Sequence, residues 1–169
     1  VKVNYATYDD DNIYISMPYY KNGSLQDILQ ERNLTVREIV KYSLEILSGL
    51  YYIHKKNILH CDIKPSNILI DDYGCAVLAD FGSAININHS GVGKLKNVYY
   101  KHIAPEQCYS SRVDVRVDIY QFGNTLYRMC NGEEEYNKQV KKSKNMTELK
   151  NAIVNGSFPS RKKYYPHIP

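Results

Sequence analysis

The spacing of apolar and polar positions along this 169-residue chain changes several times, and each change marks an element. Residues 3–8 and 13–17 read as two short strands, and Asp9, Asp10, Asp11 and Asn12 between them favour a turn, so the start is a hairpin. Pro18 removes a backbone donor and ends the second strand, and Lys21-Asn22-Gly23 is a loop signal. Ser24 with Asp27 resembles an N-cap with an acidic first turn, opening a short helix to about Arg32. Thr35 and Glu38 form a better capping box, and a long helix is predicted from there to about Lys55. Its apolar residues Ile39, Val40, Leu44, Leu47 and Leu50 recur at helical spacing and are expected to face the core.

From Ile58 to Ala79 the pattern shifts to short apolar runs. Ile68-Leu69-Ile70 and Ala76-Val77-Leu78, split by Asp71-Asp72-Tyr73-Gly74, predict a second small hairpin. Residues 82–113 show no sustained period and carry Gly82, Gly91, Gly93 and Pro105, which predicts a long loop, of a length that is usually functional or mobile. Helical spacing returns over roughly 115–130, with Ile119, Phe122, Leu126 and Met129 on one face. A last helix fits 146–155, with Leu149 and Ile153 inward and Gly156 as its stop. The expected class is mainly α with short β-hairpins.

Composition narrows the picture without changing it. Hydrophobic residues are 43% and charged residues 24%, ordinary for a globular domain, and no apolar run approaches the roughly 20 residues of a membrane helix. The expectation is a cytoplasmic chain with no membrane contact in this segment. Cys61, Cys75, Cys108 and Cys130 are far apart and lack the close spacing of a zinc site. The net charge is +4. Its basic clusters, Lys138 to Lys144 and Arg161-Lys162-Lys163, lie near Glu133-Glu134-Glu135 and lack interleaved aromatics, so they read as solvated faces and not as a nucleic-acid surface.

Candidate chemistry is concentrated between residues 58 and 82. The run Ile58-Leu59-His60-Cys61-Asp62-Ile63-Lys64-Pro65-Ser66-Asn67-Ile68-Leu69 places Asp, Lys and Asn within six positions. Asp80-Phe81-Gly82 follows thirteen residues after Asn67, Ala104-Pro105-Glu106 brings a glutamate, and Asp118 stands twelve further on. Phosphoryl transfer from a nucleotide accounts for these types. Magnesium takes oxygen ligands, which a carboxylate (Asp80) and an amide oxygen (Asn67) supply. A second carboxylate (Asp62) orients a hydroxyl and accepts its proton, and Lys64 neutralises charge on the phosphoryl group. Gly82 lets the backbone pivot after Asp80. Each piece alone is weak, but their order and spacing together are a strong signal.

The chain thus resembles the eukaryotic-type serine/threonine protein kinase family over essentially its whole length. The resemblance implies one incomplete kinase domain, with residues 1–20 as a hairpin and hinge from the N-terminal lobe and 21–169 as an incomplete C-terminal lobe. Asp62 corresponds to the catalytic base, Lys64 to the phosphate-contacting lysine, and Asn67 and Asp80 to magnesium ligands. The implied cofactors are ATP with Mg2+ (or Mn2+), and the implied partner is a protein substrate. Met17 falls at the gatekeeper position, Pro18, Tyr19 and Tyr20 form the hinge facing adenine, and Leu69 lies beneath the ring. His60 and Phe81 stack in the column joining the lobes, and Asp118 holds the catalytic loop by its backbone. Glu106 is a buried carboxylate whose arginine partner lies beyond Pro169. The lobe alone is therefore expected to be marginally stable.

Departures from the family pattern matter as much. Cys61 stands where most members carry the arginine that pairs with a phosphate on the activation loop, leaving Ser83, Ser90 and Tyr99 as acceptors without that partner. Val98-Tyr99 replaces the usual Gly-Thr, and Tyr100-Lys101-His102-Ile103 resembles some bacterial members. A Gly-rich phosphate loop and a strand lysine are missing from these residues. Three readings stay open: a serine/threonine kinase, a kinase-like binding module without catalysis, and a small-molecule phosphotransferase. Lys64-Pro65 and Ala104-Pro105-Glu106 argue against the third.

Overall fold

Local caps start the first two helices. Ser24 Oγ accepts the Asp27 N–H while the Asp27 carboxylate accepts the Ser24 N–H at 2.7 Å, opening α1 (Leu25–Glu31). Thr35 and Glu38 repeat the device at the head of α2 (Val36–His54). The computed structural model describes residues 1–95 and 103–159. Val98 to His102 and the Arg161-Lys162-Lys163 cluster lie outside the described residues.

The strands are short and pair two by two. β1 (Tyr5–Tyr8) runs antiparallel to β2 (Ile13–Ser16) with Tyr5 opposite Ser16, slightly shorter than the sequence predicts. β3 (Ile58–Leu59) precedes the hairpin of β4 (Ile68–Ile70) and β5 (Ala76–Leu78), in which Ile68 faces Leu78. The predicted long loop is not featureless. It contains β6 (Ile85–Asn86), which pairs with β3, then β7 (Gly93–Lys94), which pairs with β8 (Arg112–Val113), and a 3-10 turn over Pro105–Cys108. Three helices complete the described chain: α3 (Arg116–Asn131), α4 (Glu133–Lys142) and α5 (Met146–Val154). The result is mainly helical with small antiparallel hairpins, as expected.

The main core lies where α1, α2 and α3 meet the β4–β5 hairpin, with Leu25, Ile46, Leu50, Ile68, Leu78 and Met129 among its buried members. Gly49 lets α2 approach the hairpin: a Cβ there would stand 3.0 Å from Leu78 Cδ1. The predicted inward face of α2 needs correction. Ile39 and Leu50 are buried, but Val40, Leu44 and Leu47 are exposed, and the face is completed by Tyr42, Ile46 and Ile53. Apolar residues stand on two sides of this helix, so helical spacing fits either row, and only the packing partner selects one. On α3, Phe122 and Met129 point inward as predicted, whereas Ile119 is exposed. Leu149 and Ile153 of α5 are buried in a smaller cluster with Ile103, Tyr136 and Phe158, and the helix stops just before Gly156.

The helix α4 was not predicted from the pattern. Its first turn carries Glu133, Glu134 and Glu135 and its last turn Lys141 and Lys142, which suits the helix dipole at both ends. Only Tyr136 and Gln139 are buried, so the apolar signal is thin. Arg128 of α3 secures this end of the fold: its guanidinium pairs with Glu133 at 2.6 Å, bonds Gln26 of α1, and lies 4.9 Å from the Tyr136 ring centroid.

Candidate active site

The site is assembled on α3. Asp118, in the first turn of that helix, is fully buried and points at the segment that follows β3. Its Oδ1 accepts the Cys61 N–H at 2.7 Å, and its Oδ2 accepts the His60 N–H at 2.9 Å and lies 2.7 Å from His54 Nε2. A carboxylate that takes three donors fixes the path of the chain at residues 60 and 61. Cys61 is held in the left-handed region, with φ of 64°, which costs strain for any residue with a Cβ. His54, at the C-terminal end of α2, has no counterpart among the residues singled out from the sequence. Nothing local marks it, since its partner lies 64 positions away.

Beyond Cys61 the chain presents the acid, the lysine and the amide as one connected group. Asp62 is buried, and its Oδ2 receives Lys64 Nζ at 2.7 Å and Asn67 Nδ2 at 2.9 Å. Asn67 also donates to the Asp62 carbonyl at 3.0 Å, which closes the loop on itself. Its N-terminal side is set by Pro65, the first residue of a 3-10 turn over Pro65–Asn67 that leads directly into β4. Asp62 Oδ1 makes no hydrogen bond among the described residues. Amide and lysine donors thus occupy one carboxylate oxygen and leave the other free as an acceptor.

The β4–β5 hairpin brings Asp80 to the same place. Because Ile68 faces Leu78, Asn67 falls opposite Ala79, and the Ala79 N–H donates to the Asn67 carbonyl at 2.9 Å. Asp80 is the next residue along and is exposed, with φ of 58° and its Oδ1 3.2 Å from the Gly82 N–H. The positive φ belongs to Asp80, and a Cβ at Gly82 would stand 3.1 Å from Asp80 Oδ1.

Phe81 and His60 meet as the sequence predicts, with ring centroids 4.7 Å apart and tilted by 51°. His60 Nε2 donates to the Ala79 carbonyl at 2.9 Å, because a carbonyl only accepts, and burial pushes the imidazole pKa down. Burial, reinforced by Asp118 and Asp62, pushes the Cys61 thiol up to about 12.

Met17, Pro18 and Tyr19 follow β2 and are exposed, Tyr20 is half-buried, and Leu69 is half-buried on β4. The segment after them is tied to β4 by the Ile70 N–H donating to the Gly23 carbonyl at 3.0 Å and by a bridge between Ser24 and Leu69. Glu106 departs from expectation. It is half-buried and borders an open cavity of about 660 Å³ with Lys94, Arg112 and Arg116, so the penalty of a sealed carboxylate does not apply.

The donor set suits a hard cation. Asp80 offers an exposed carboxylate, and Asn67 spends its amide nitrogen on Asp62, which turns its oxygen to other uses, with only a 3.5 Å contact from Ser66 Oγ.

An acid, a lysine and an amide are thus locked together, and a second acid follows the neighbouring hairpin. The chain belongs to the protein kinase family, whose protein kinase domain matches residues 1–167. It is 33% identical over 149 residues to a probable serine/threonine-protein kinase of Clostridium acetobutylicum, covering 86% of this chain and 23% of that protein. It is 40% identical over 124 residues to the mitogen-activated protein kinase kinase kinase YODA of Arabidopsis thaliana, covering 72% of this chain and 14% of that protein. With the probable serine/threonine-protein kinase PknB of Bifidobacterium longum it shares 34% over 128 residues, 73% of this chain and 19% of that protein. The chain therefore spans less than a quarter of the length of these relatives. Among the described residues, no helix is long and apolar enough to cross a membrane.

Proposed function

We propose that this chain forms the catalytic part of a kinase domain that transfers the terminal phosphoryl group of ATP to serine or threonine hydroxyls of protein substrates. The observation that carries the reading is the state of Asp62: one oxygen is held by Lys64 and Asn67, and the other is free. In this role Asp62 Oδ1 orients the substrate hydroxyl and takes its proton as the oxygen bonds to phosphorus and the bond to the leaving ADP breaks. Lys64, 2.7 Å from the base, stands where charge on the transferred group is neutralised. Asn67 and Asp80 would hold magnesium, which when bound draws charge off the phosphate oxygens. Residues 17–20 and Leu69 flank the place for adenine, and 1–20 and 21–169 divide as parts of an N-terminal and a C-terminal lobe.

The test is phosphate transfer from labelled ATP to a serine/threonine peptide library, by the complete protein that carries this chain. Asp62→Asn is expected to lower kcat by about 10²–10⁴-fold with little change in KM for ATP. Equal rates in variant and wild type would overturn the assignment. Magnesium-dependent ATP binding without any transfer would leave a kinase-like binding module instead.

A further inference from the structure

Gln121 lies three residues after Asp118 on α3, on the same side of the helix, and is 2% exposed. Its amide makes two hydrogen bonds to one short stretch of backbone. Nε2 donates to the Cys61 carbonyl at 3.0 Å, and Oε1 accepts the Ile63 N–H at 2.9 Å. The Cys61 carbonyl belongs to the peptide plane before Asp62, and the Ile63 N–H belongs to the plane after it. A single side chain therefore grips both peptide planes that flank the Asp62 Cα. Those planes set the φ and ψ of Asp62, and the direction of its side chain follows from them.

The grip answers a specific need. Cys61 sits at a φ of 64°, strained for a residue with a Cβ, and such a residue persists only where its surroundings hold it. Asp118 takes the Cys61 N–H and Gln121 takes its carbonyl, so both polar groups of the strained residue are spoken for by one helix. A primary amide carries a separate donor nitrogen and acceptor oxygen at its tip, whereas an ionised carboxylate only accepts and an ammonium only donates. The side chain of Asn67 closes the same loop from the opposite side, through the Asp62 carbonyl and Oδ2.

We infer that Gln121 is a positioning residue for Asp62, its amide fixing the two peptide planes that aim the carboxylate. The inference rests on the reading of Asp62 as the catalytic base. It is tested in the complete protein with Gln121→Met, which keeps length and removes both bonds, and Gln121→Glu, which when ionised keeps the acceptor for Ile63 and loses the donor for Cys61. Two readouts are needed: steady-state kinetics with Mg2+ and ATP, and amide hydrogen exchange at Ile63.

The Met variant is expected to lose about 10–100-fold in kcat while KM for ATP stays within about twofold, and the Glu variant to fall between it and wild type. Exchange at Ile63 should speed by more than about tenfold, with Ile46 and Leu50 in α2 unchanged. An unchanged kcat in a folded Met variant overturns the inference. So does a parallel change in kcat and KM with faster exchange throughout the core, which assigns Gln121 to packing alone. If Gln121→Met fails to fold, the Glu variant decides by kinetics alone, because it keeps the acceptor for Ile63: a lower kcat at unchanged KM supports the inference and an unchanged kcat overturns it. If the wild type transfers no phosphate, the proposed function fails, and the exchange comparison still decides whether the amide holds this loop.

Discussion

Cys61 combines a left-handed backbone with a buried thiol. The first property costs about 1–3 kcal/mol, which Asp118 offsets with a charge-assisted bond to the residue's N–H. The second has a direct chemical consequence. With the thiol pushed up to about 12, roughly one molecule in 10⁴ carries a thiolate at pH 8, against about a quarter for an ordinary cysteine. Iodoacetamide at pH 8 should therefore leave Cys61 unmodified in the folded protein and alkylate it at a normal rate in urea. Mass spectrometry of a timed reaction checks this. Native labelling as fast as the unfolded rate would show that the thiol is neither buried nor shifted.

Capping governs where the helices begin, and it is a local property, which is why these starts are legible in the sequence. At the head of α2, Arg32 reaches Glu38 with contacts of 2.6 and 3.1 Å, and this pairing together with the Thr35 donors holds the Glu38 carboxyl down at about 2. A carboxyl lowered in the folded state stabilises fully above its unfolded pKa, and the contribution is lost as pH falls through the folded value. Glu38→Gln should cost about 1 kcal/mol at pH 7, less than the full shift converts to because the Arg32 side chain is half exposed. The gap between wild type and variant should then close between about pH 5 and pH 2 in urea titrations. A gap that does not change with pH would remove Glu38 ionisation from the account. The pairings of β3 with β6 and β7 with β8 could not be read in the same way. Each is two residues long and joins residues 18 or more positions apart, so no local pattern encodes it. Asp62, Lys64, Asn67 and Asp80 were legible because the loop and hairpin that gather them keep their spacing in the chain. His54 and Gln121 were not, because their partners are about 60 positions away.

Taken together, the described elements leave an apolar row on α2 uncovered. Val40, Leu44, Leu47 and Tyr51 follow each other at helical spacing along the outer side of α2, and all four are exposed, Leu44 at 64%. Ile46, two residues from Leu44 in sequence, is 1% exposed and lies in the main core. The fold therefore makes opposite predictions for two aliphatic neighbours on one helix. Ile46→Ala should cost about 2–5 kcal/mol, because it removes buried methyl groups and leaves a cavity in the main core. Leu44→Lys should change stability by no more than about 0.5 kcal/mol, because its side chain touches water and lysine is a good helix former. The same lysine should reduce self-association, since an exposed apolar row is a sticky surface and a charge in its middle breaks it. Urea unfolding of both variants, with light scattering on the native proteins, reads all three quantities. A loss at Leu44 as large as that at Ile46 would mean that the outer row is buried in solution, and the assignment of the α2 core face to residues 39, 42, 46, 50 and 53 would then describe only half of what the helix packs against.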